Sequence, residues 1–137
     1  MNPPFGTEAA APAGAVLRLL VIEDEAADFR LLQRHLQRHG LEADCHQTDS
    51  LEAVDRALGE GGWDLVLIDH QLPGLSFEEL LARLRRGLPE VPLILVSGTI
   101  GEELAVDLLH QGVSDFVFKD RLGRLVPAIE RCLADRQ

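Results

Sequence analysis

The stretch WDLVLIDHQLPG, residues 63–74, joins an apolar run to an acid and a tight turn. Residues 65–68 are Leu-Val-Leu-Ile, and an unbroken apolar run of this length is typical of a strand covered on both faces of a parallel sheet. Asp69 therefore stands at the carboxyl end of the strand, before the turn residues Pro73 and Gly74. Ligands bind at that edge of open parallel sheets, but Asp is also a common turn residue, so Asp69 alone leaves both interpretations open.

Apolar runs and helical patterns alternate along the rest of the chain. The third strand is predicted at residues 63–68, and four further strands are predicted at residues 16–22, 41–47, 91–98 and 114–120. A helix with apolar residues three and four positions apart follows each strand. The partly polar composition of residues 41–47 indicates an edge strand. The alternation predicts an α/β fold, in which helices cover both faces of a parallel sheet and the crossovers are right-handed.

Capping residues mark the boundaries of the predicted helices. The Asp49-Ser50 pair precedes the second helix and Ser76 precedes the third, and a hydroxyl at this position can accept a hydrogen bond from a free backbone N–H. Gly40 and Gly112 follow the last apolar positions of the first and fourth helices, where glycine commonly ends a helix.

The composition is typical of one soluble globular domain, with 46% hydrophobic and 26% charged residues among 137. Residues 1–15 are rich in Ala, Pro and Gly and are predicted to form a flexible tail before a single domain at residues 16–137. A net charge of −10 disfavours nucleic acid as a partner, because phosphate backbones require clustered Lys and Arg. No stretch matches a membrane span or a signal peptide, so we expect a cytoplasmic location. Cys45 and Cys132 match no metal-binding or redox spacing and are predicted to be two buried free thiols in a reducing compartment.

Polar residues stand at the carboxyl ends of four predicted strands: Glu23 and Asp24 after the first, Asp69 at the third, Ser97 at the fourth and Lys119 at the fifth. Because these ends share one edge of a parallel sheet, we expect the side chains to meet there. Clustered carboxylates repel one another unless a cation joins them, and oxygen ligands favour Mg²⁺. A hydroxyl and an ammonium opposite such a cluster suit phosphoryl transfer, in which a carboxylate can itself be the nucleophile.

Four motifs in this order and spacing, LLVIEDE, DLVLIDHQLPG, LILVSGTIGEE and SDFVFKD, closely resemble the receiver domain of two-component response regulators. Each motif alone is a weak signal, but the ordered set is specific and covers residues 16–134. The resemblance implies a flavodoxin-like fold with five strands in the order 2-1-3-4-5, doubly wound by five helices.

The resemblance also implies roles for individual residues. Asp69 would be the phosphoacceptor, taking a phosphoryl group from a phosphohistidine on a sensor histidine kinase or a histidine phosphotransfer protein. Glu23 and Asp24 would hold Mg²⁺, and Asp69 and the backbone carbonyl of Gln71 would complete the protein ligands.

Further roles implied by the family concern the switch and its output. Ser97 and Lys119 would contact the phosphoryl group, and Phe116 would change rotamer as the Ser97 hydroxyl moves. The change would be read on the surface formed by the fourth helix, fifth strand and fifth helix, through which receivers often dimerise. Because the chain ends soon after the last helix, we expect a single-domain regulator that binds a downstream protein or relays phosphate, promoting only its own phosphorylation and dephosphorylation.

The sequence departs from the family pattern in three places. Asp120 follows Lys119 where receivers usually have Pro, often after a cis bond, so we expect a trans bond here. Phe116 lacks the hydroxyl of the commoner Tyr. His70 and Gln71, next to the acceptor, are placed to alter the lifetime of the phosphoryl group.

Other interpretations compete with this function. An aspartyl-phosphate phosphohydrolase also uses a strand-end Asp with Mg²⁺, but it typically has a second acid two residues later, where this chain has Gln71. A receiver-like adaptor that takes no phosphate is the other alternative. His35 and His39 lie four residues apart on the first helix, and without a third ligand they are interpreted as surface residues.

Overall fold

The computed structural model describes residues 16–98 and 102–136. The predicted tail at residues 1–15 and Thr99, in the third motif, lie outside the described residues. The elements alternate along the chain as β1 Leu17–Ile22, α1 Ala26–Arg38, β2 Ala43–Thr48, α2 Leu51–Glu60, β3 Leu65–Asp69, α3 Phe77–Gly87, β4 Leu93–Ser97, α4 Glu102–His110, β5 Asp115–Phe118, a 3₁₀ helix at Lys119–Arg124, and α5 Leu125–Arg136.

The five strands form one parallel sheet in the order β2-β1-β3-β4-β5, so the predicted doubly wound flavodoxin-like fold and strand order are confirmed. Residues 41–47 were predicted as an edge strand, and β2 is at the edge. β3 and β4 lie inside the sheet, and every residue of both strands is buried. Their continuous apolar runs follow from this position, because both faces are covered.

The core has two layers, one on each face of the sheet. Alternate strand residues such as Leu20 and Ile68 pack against α2 and α3 on one face, while their neighbours such as Leu19 and Leu67 pack against α1 and α5 on the other. Leu80 of α3 is fully buried, as its helical spacing predicts. Burying a leucine side chain of this kind contributes roughly 1.5–3 kcal/mol to folding. The two layers fix the central strands and hence the position of their ends.

All five predicted strands differ from the observed ones by one or two residues at an end, and the differences in the third and fifth strands concern individual side chains. The third was predicted to include Trp63, but β3 begins at Leu65. Trp63 is buried before the strand, where its indole N–H donates to the Ala57 carbonyl at 2.7 Å and the Arg18 guanidinium lies 4.2 Å from the ring centre. The fifth was predicted to extend to Asp120, but β5 ends at Phe118 and Lys119 begins the 3₁₀ helix.

The predicted trans bond is confirmed, because the described residues contain no cis peptide bond and the Lys119–Asp120 bond is therefore trans. Both cysteines are free thiols whose pKa is raised by burial, but only Cys132 is buried as predicted, whereas Cys45 is half-buried. Within the described ranges, no helix is long and apolar enough to span a membrane.

The two predicted serine caps are also confirmed. Ser50 Oγ accepts a hydrogen bond from the Ala53 N–H at 3.1 Å at the start of α2. Ser76 Oγ accepts one from the Glu79 N–H at 3.3 Å at the start of α3.

We predict that Ser50→Ala lowers the free energy of unfolding by about 1 kcal/mol, because one backbone N–H in the first turn of α2 loses its acceptor. Urea titration followed by far-ultraviolet circular dichroism measures the change. Ser50→Asp is the control, since its carboxylate can cap the same N–H and keep the wild-type stability. An Ala variant as stable as the Asp variant would contradict this role of the cap.

Candidate functional site at the carboxyl edge of the sheet

The polar residues predicted at the strand ends meet at one edge of the sheet. Glu23 follows β1 and extends its pairing, since its N–H donates to the Thr48 carbonyl at 2.9 Å. Asp69 and Ser97 are the last residues of β3 and β4, and Lys119 comes directly after β5. An open cavity of about 590 Å³ lies above this edge, with a lining that includes Asp24, Asp28, Asp69, His70, Gln71 and Lys119.

Three carboxylates form a group of the size that a metal ion requires. Glu23, Asp24 and Asp69 each place an oxygen within 4.8 Å of the others. Glu23 and Asp69 are 5% and 6% exposed, whereas Asp24 is exposed to solvent. Hard cations such as Mg²⁺ are bound by carboxylate oxygens, so these three residues fit such an ion.

Backbone N–H groups orient the two buried carboxylates. The Gln71 N–H donates to Asp69 Oδ1 at 3.0 Å, and the Glu25 N–H donates to Glu23 Oε2 at 3.2 Å. Each bond comes from two residues further along the chain, where the backbone turns away from the strand. The oxygens of Asp69 are thereby held in fixed directions before any ligand arrives.

Lys119 is the cation that these carboxylates share. Its Nζ lies 3.1 Å from Glu23 Oε1 and donates to Asp69 Oδ2 at 3.1 Å and to Asp28 Oδ2 at 2.8 Å. Burial lowers the pKa of Lys119, but these contacts outweigh it and raise the pKa above its ordinary value. The ammonium therefore stays charged at any physiological pH.

Glu23 is the acid most perturbed by this arrangement. Burial, and then the neighbouring Asp69 carboxylate, raise its pKa from 4.5 to about 7, although Lys119 opposes the shift. Charges of like sign in a desolvated site disfavour ionisation in this way. Without a further cation, Glu23 therefore holds a proton for part of the time at neutral pH.

Ser97 and Phe116, the two residues predicted to form the switch, lie on neighbouring strands. Ser97 is 1% exposed, and its Oγ has no hydrogen-bond partner among the residues that the structure describes. Buried hydroxyls are usually hydrogen-bonded, so this atom can take a ligand oxygen as its partner. Phe116 is half-buried, pairs with Leu95 two residues before Ser97, and packs edge-on against Phe118 at 5.5 Å.

Sequence reasoning missed Asp28 and the buried Nδ1 of the half-buried His70. Asp28 lies in the first turn of α1, four residues after Asp24, and an acid this close to the strand-end carboxylates could have been identified from the sequence. His70 stacks edge-on against Phe77 at 5.2 Å, and its Nδ1 is buried with no partner within residues 16–98 and 102–136. His35 and His39 stack on each other at 4.2 Å and belong to no three-residue metal group in these ranges.

Comparison with known proteins identifies similar domains. Residues 19–130 match the family model described as the response regulator receiver domain. An uncharacterized transcriptional regulatory protein of Bacillus subtilis (strain 168), YkoG, is 38% identical over 101 residues, covering 74% of this chain and 43% of that protein. TcrA of Mycobacterium tuberculosis, a transcriptional regulatory protein, is 34% identical over 105 residues, covering 75% of this chain and 40% of that protein. The chain thus spans less than half the length of these relatives.

Solved structures share the fold. A two-component response regulator of the LuxR family from Aurantimonas sp. SI85-9A1 superposes with a TM-score of 0.76 and 26% identity, covering 90% of this chain and 89% of that one. The beryllofluoride-activated NtrC4 receiver domain dimer has a TM-score of 0.75 and 19% identity, covering 88% and 98%. At that identity, the second comparison supports the fold alone.

We predict that Glu23→Gln stabilises the metal-free protein at pH 8 by up to about 3 kcal/mol, because a pKa raised from 4.5 to about 7 makes the folded state bind the proton more tightly than the unfolded state. The wild type therefore loses stability as the pH rises from about 4.5 to about 7, and the variant loses less. Urea titrations from pH 4.5 to 8 in a chelator measure the difference. Glu130→Gln, at an exposed position of α5, is the matched control, and parallel curves for all three proteins would contradict the prediction.

Proposed function

The chain belongs to the response regulator receiver domain family, and we propose that it accepts a phosphoryl group on Asp69 from a phosphohistidine of a sensor histidine kinase or a histidine phosphotransfer protein. The observation that carries the proposal is the position of the Asp69 carboxylate. It is buried at the end of a central strand, held by the Gln71 N–H and Lys119, and it lines an open cavity beside Glu23 and Asp24.

Asp69 is the nucleophile in this proposal. One of its carboxylate oxygens attacks the phosphorus atom, the P–N bond of the donor phosphohistidine breaks, and the electron pair leaves with the imidazole nitrogen. Because every residue of β3 is buried, the Asp69 carboxylate keeps its position when the donor approaches. Lys119 and the Ser97 hydroxyl, which has no partner among the described residues, are available to donate hydrogen bonds to the phosphoryl oxygens.

Mg²⁺ is the cofactor that we propose for this site. Glu23, Asp24 and Asp69 would hold it with the backbone carbonyl of Gln71, and the fit rests on the three clustered carboxylates. The ion would offset the negative charges of the carboxylate and of the phosphodonor, which otherwise repel each other.

The output of the proposed switch is a change of protein contacts. A receiver shifts between two conformations when the phosphoryl group binds one of them better, here through Ser97 and Lys119, with Phe116 following Ser97. The described part of α4 exposes three apolar side chains, Leu104, Val106 and Leu109. These exposed apolar side chains support the proposal that a downstream protein or a second copy binds the surface formed by α4, β5 and α5.

Further proposals concern the location of the chain, its binding of nucleic acid and its domain organisation. We expect the chain to act in the cytoplasm, where its kinase would meet it, and its charge of −10 disfavours direct binding of nucleic acid by this domain. The sequence predicts that the chain works as a single-domain regulator, whereas the relatives named above are longer proteins. An aspartyl-phosphate phosphohydrolase typically has a second acid at the position of Gln71. The Gln71 side chain has no carboxylate, and the backbone N–H of this residue donates a hydrogen bond to Asp69.

Incubation with Mg²⁺ and acetyl phosphate tests the phosphoacceptor. We predict that intact mass spectrometry shows one added phosphoryl group on the wild type and none on Asp69→Asn, because the amide is not a nucleophile for phosphorus. Asp135→Asn, an exposed position on α5, is the matched control and should be phosphorylated like the wild type. An adduct that persists in Asp69→Asn would place the acceptor elsewhere, and no adduct with any donor or kinase would favour the phosphate-independent adaptor.

We also predict that Mg²⁺ stabilises the protein more at pH 8 than at pH 5.5, because the ion must displace the proton that Glu23 retains below about pH 7. Thermal unfolding with and without Mg²⁺ at the two pH values measures this. In Glu23→Gln the pH dependence of the Mg²⁺ effect should largely disappear. Equal stabilisation of the wild type at both pH values would show that Glu23 is not a ligand.

A further inference from the structure

We propose that Asp28 is a positioning residue that anchors the Lys119 ammonium beside the acceptor, an inference that rests on the proposed phosphoryl transfer to Asp69. Asp28 lies in the first turn of α1, and its Oδ2 accepts a hydrogen bond from Lys119 Nζ at 2.8 Å. This is the shortest of the three contacts that Lys119 makes with carboxylates in the described structure.

The three carboxylates around Lys119 differ in what else they can bind. Glu23 and Asp69 belong to the group whose oxygens lie close enough to share a metal ion, and among the described residues Asp28 does not. An ion on Glu23 and Asp69 would draw their charge away from Lys119 and would repel the ammonium. The Asp28 carboxylate would still attract Lys119, because it does not bind the ion. Asp28 therefore allows the ammonium and the cation to occupy one site.

Asp28 also differs from Asp69 in the transfer step. When Asp69 becomes an acyl phosphate, Lys119 can donate its hydrogen bond to a phosphoryl oxygen and no longer to the Asp69 carboxylate. The contact with Asp28 is unchanged by the reaction, so Lys119 exchanges one acceptor while the other holds the ammonium in place. A lysine side chain has four flexible bonds, and an anchor that orders it beforehand removes an entropic cost from the transition state.

The chain offers a direct probe, because Lys119 is its only lysine. Protein labelled with ¹⁵N,¹³C-lysine therefore gives one side-chain ammonium signal, which reports on this residue alone. With saturating Mg²⁺, we expect a slowly exchanging ammonium signal in the wild type and its loss in Asp28→Asn. Glu52→Gln, which removes a charge at an exposed position in the first turn of α2 and makes no ion pair with Lys119, is the matched control and should retain the signal.

The kinetic test uses acetyl phosphate with the same three proteins. We expect Asp28→Asn to lower the phosphorylation rate constant at saturating Mg²⁺ about tenfold, the size expected for one charged hydrogen bond, while the half-saturating Mg²⁺ concentration changes less than about threefold. Glu52→Gln should stay within about twofold of the wild type. A fourth protein, Asp28→Glu, restores the charge and should recover part of the rate. Intact mass distinguishes phosphorylation from acetylation of Lys119 by the same donor.

The outcomes separate the two proposals. If the wild type is phosphorylated but Asp28→Asn matches Glu52→Gln in both the ammonium signal and the rate, the anchor is overturned and the phosphoacceptor stands. A slower rate in Asp28→Asn with an unchanged Lys119 signal also overturns it, because Asp28 would then act other than through Lys119. If the wild type takes no phosphoryl group from any donor, the proposed function fails, and the anchor fails with it.

Discussion

Four carboxylates meet one ammonium at the carboxyl edge of the sheet, and the rest of the site depends on this imbalance of charge. Glu23, Asp28 and Asp69 contact Lys119 directly, and Asp24 lies beside them. Burial and the neighbouring Asp69 carboxylate raise the pKa of Glu23 to about 7, and because a single lysine cannot neutralise the group, the cluster favours a divalent cation. The fold keeps these charges together because Glu23, Asp69 and Lys119 stand at the ends of strands of one sheet, and α1 carries Asp28 to the same edge.

The rigidity of the edge comes from the two central strands. β3 and β4 are buried along their whole length, and their residues lie between two apolar layers. Moving Asp69 or Ser97 away from the site would require repacking both layers, whereas Asp24 is exposed in the loop before α1 and Asp28 is half-buried in the first turn of that helix. The buried strands thus define the positions of the reacting groups.

Much of this arrangement can be predicted from the sequence, because a buried strand and its carboxyl end can be recognised from the residues of that strand alone. Once residues 65–68 are recognised as a buried parallel strand, Asp69 must lie at the ligand-binding edge, and the same argument places Ser97 and Lys119. Asp28 could not be assigned in this way, since its partner is 91 residues away and its contact depends on how α1 packs over the sheet. The ends of β3 and β5 were misjudged for a related reason: Trp63 and Lys119 have strand-like neighbours, but hydrogen bonds and ion pairs outside the sheet fix both residues.

The location of Trp63 has a consequence for optical measurements. It is the only tryptophan in the chain, and it lies in the core just before the amino end of β3, whereas Asp69 ends the same strand. At about 3.3 Å per residue, the strand separates the indole from the acceptor by well over 10 Å. Its fluorescence emission should therefore report unfolding of the core while remaining nearly insensitive to ions or phosphate at the opposite edge. One intrinsic fluorophore can then follow stability under conditions in which the chemistry of the site is also changing.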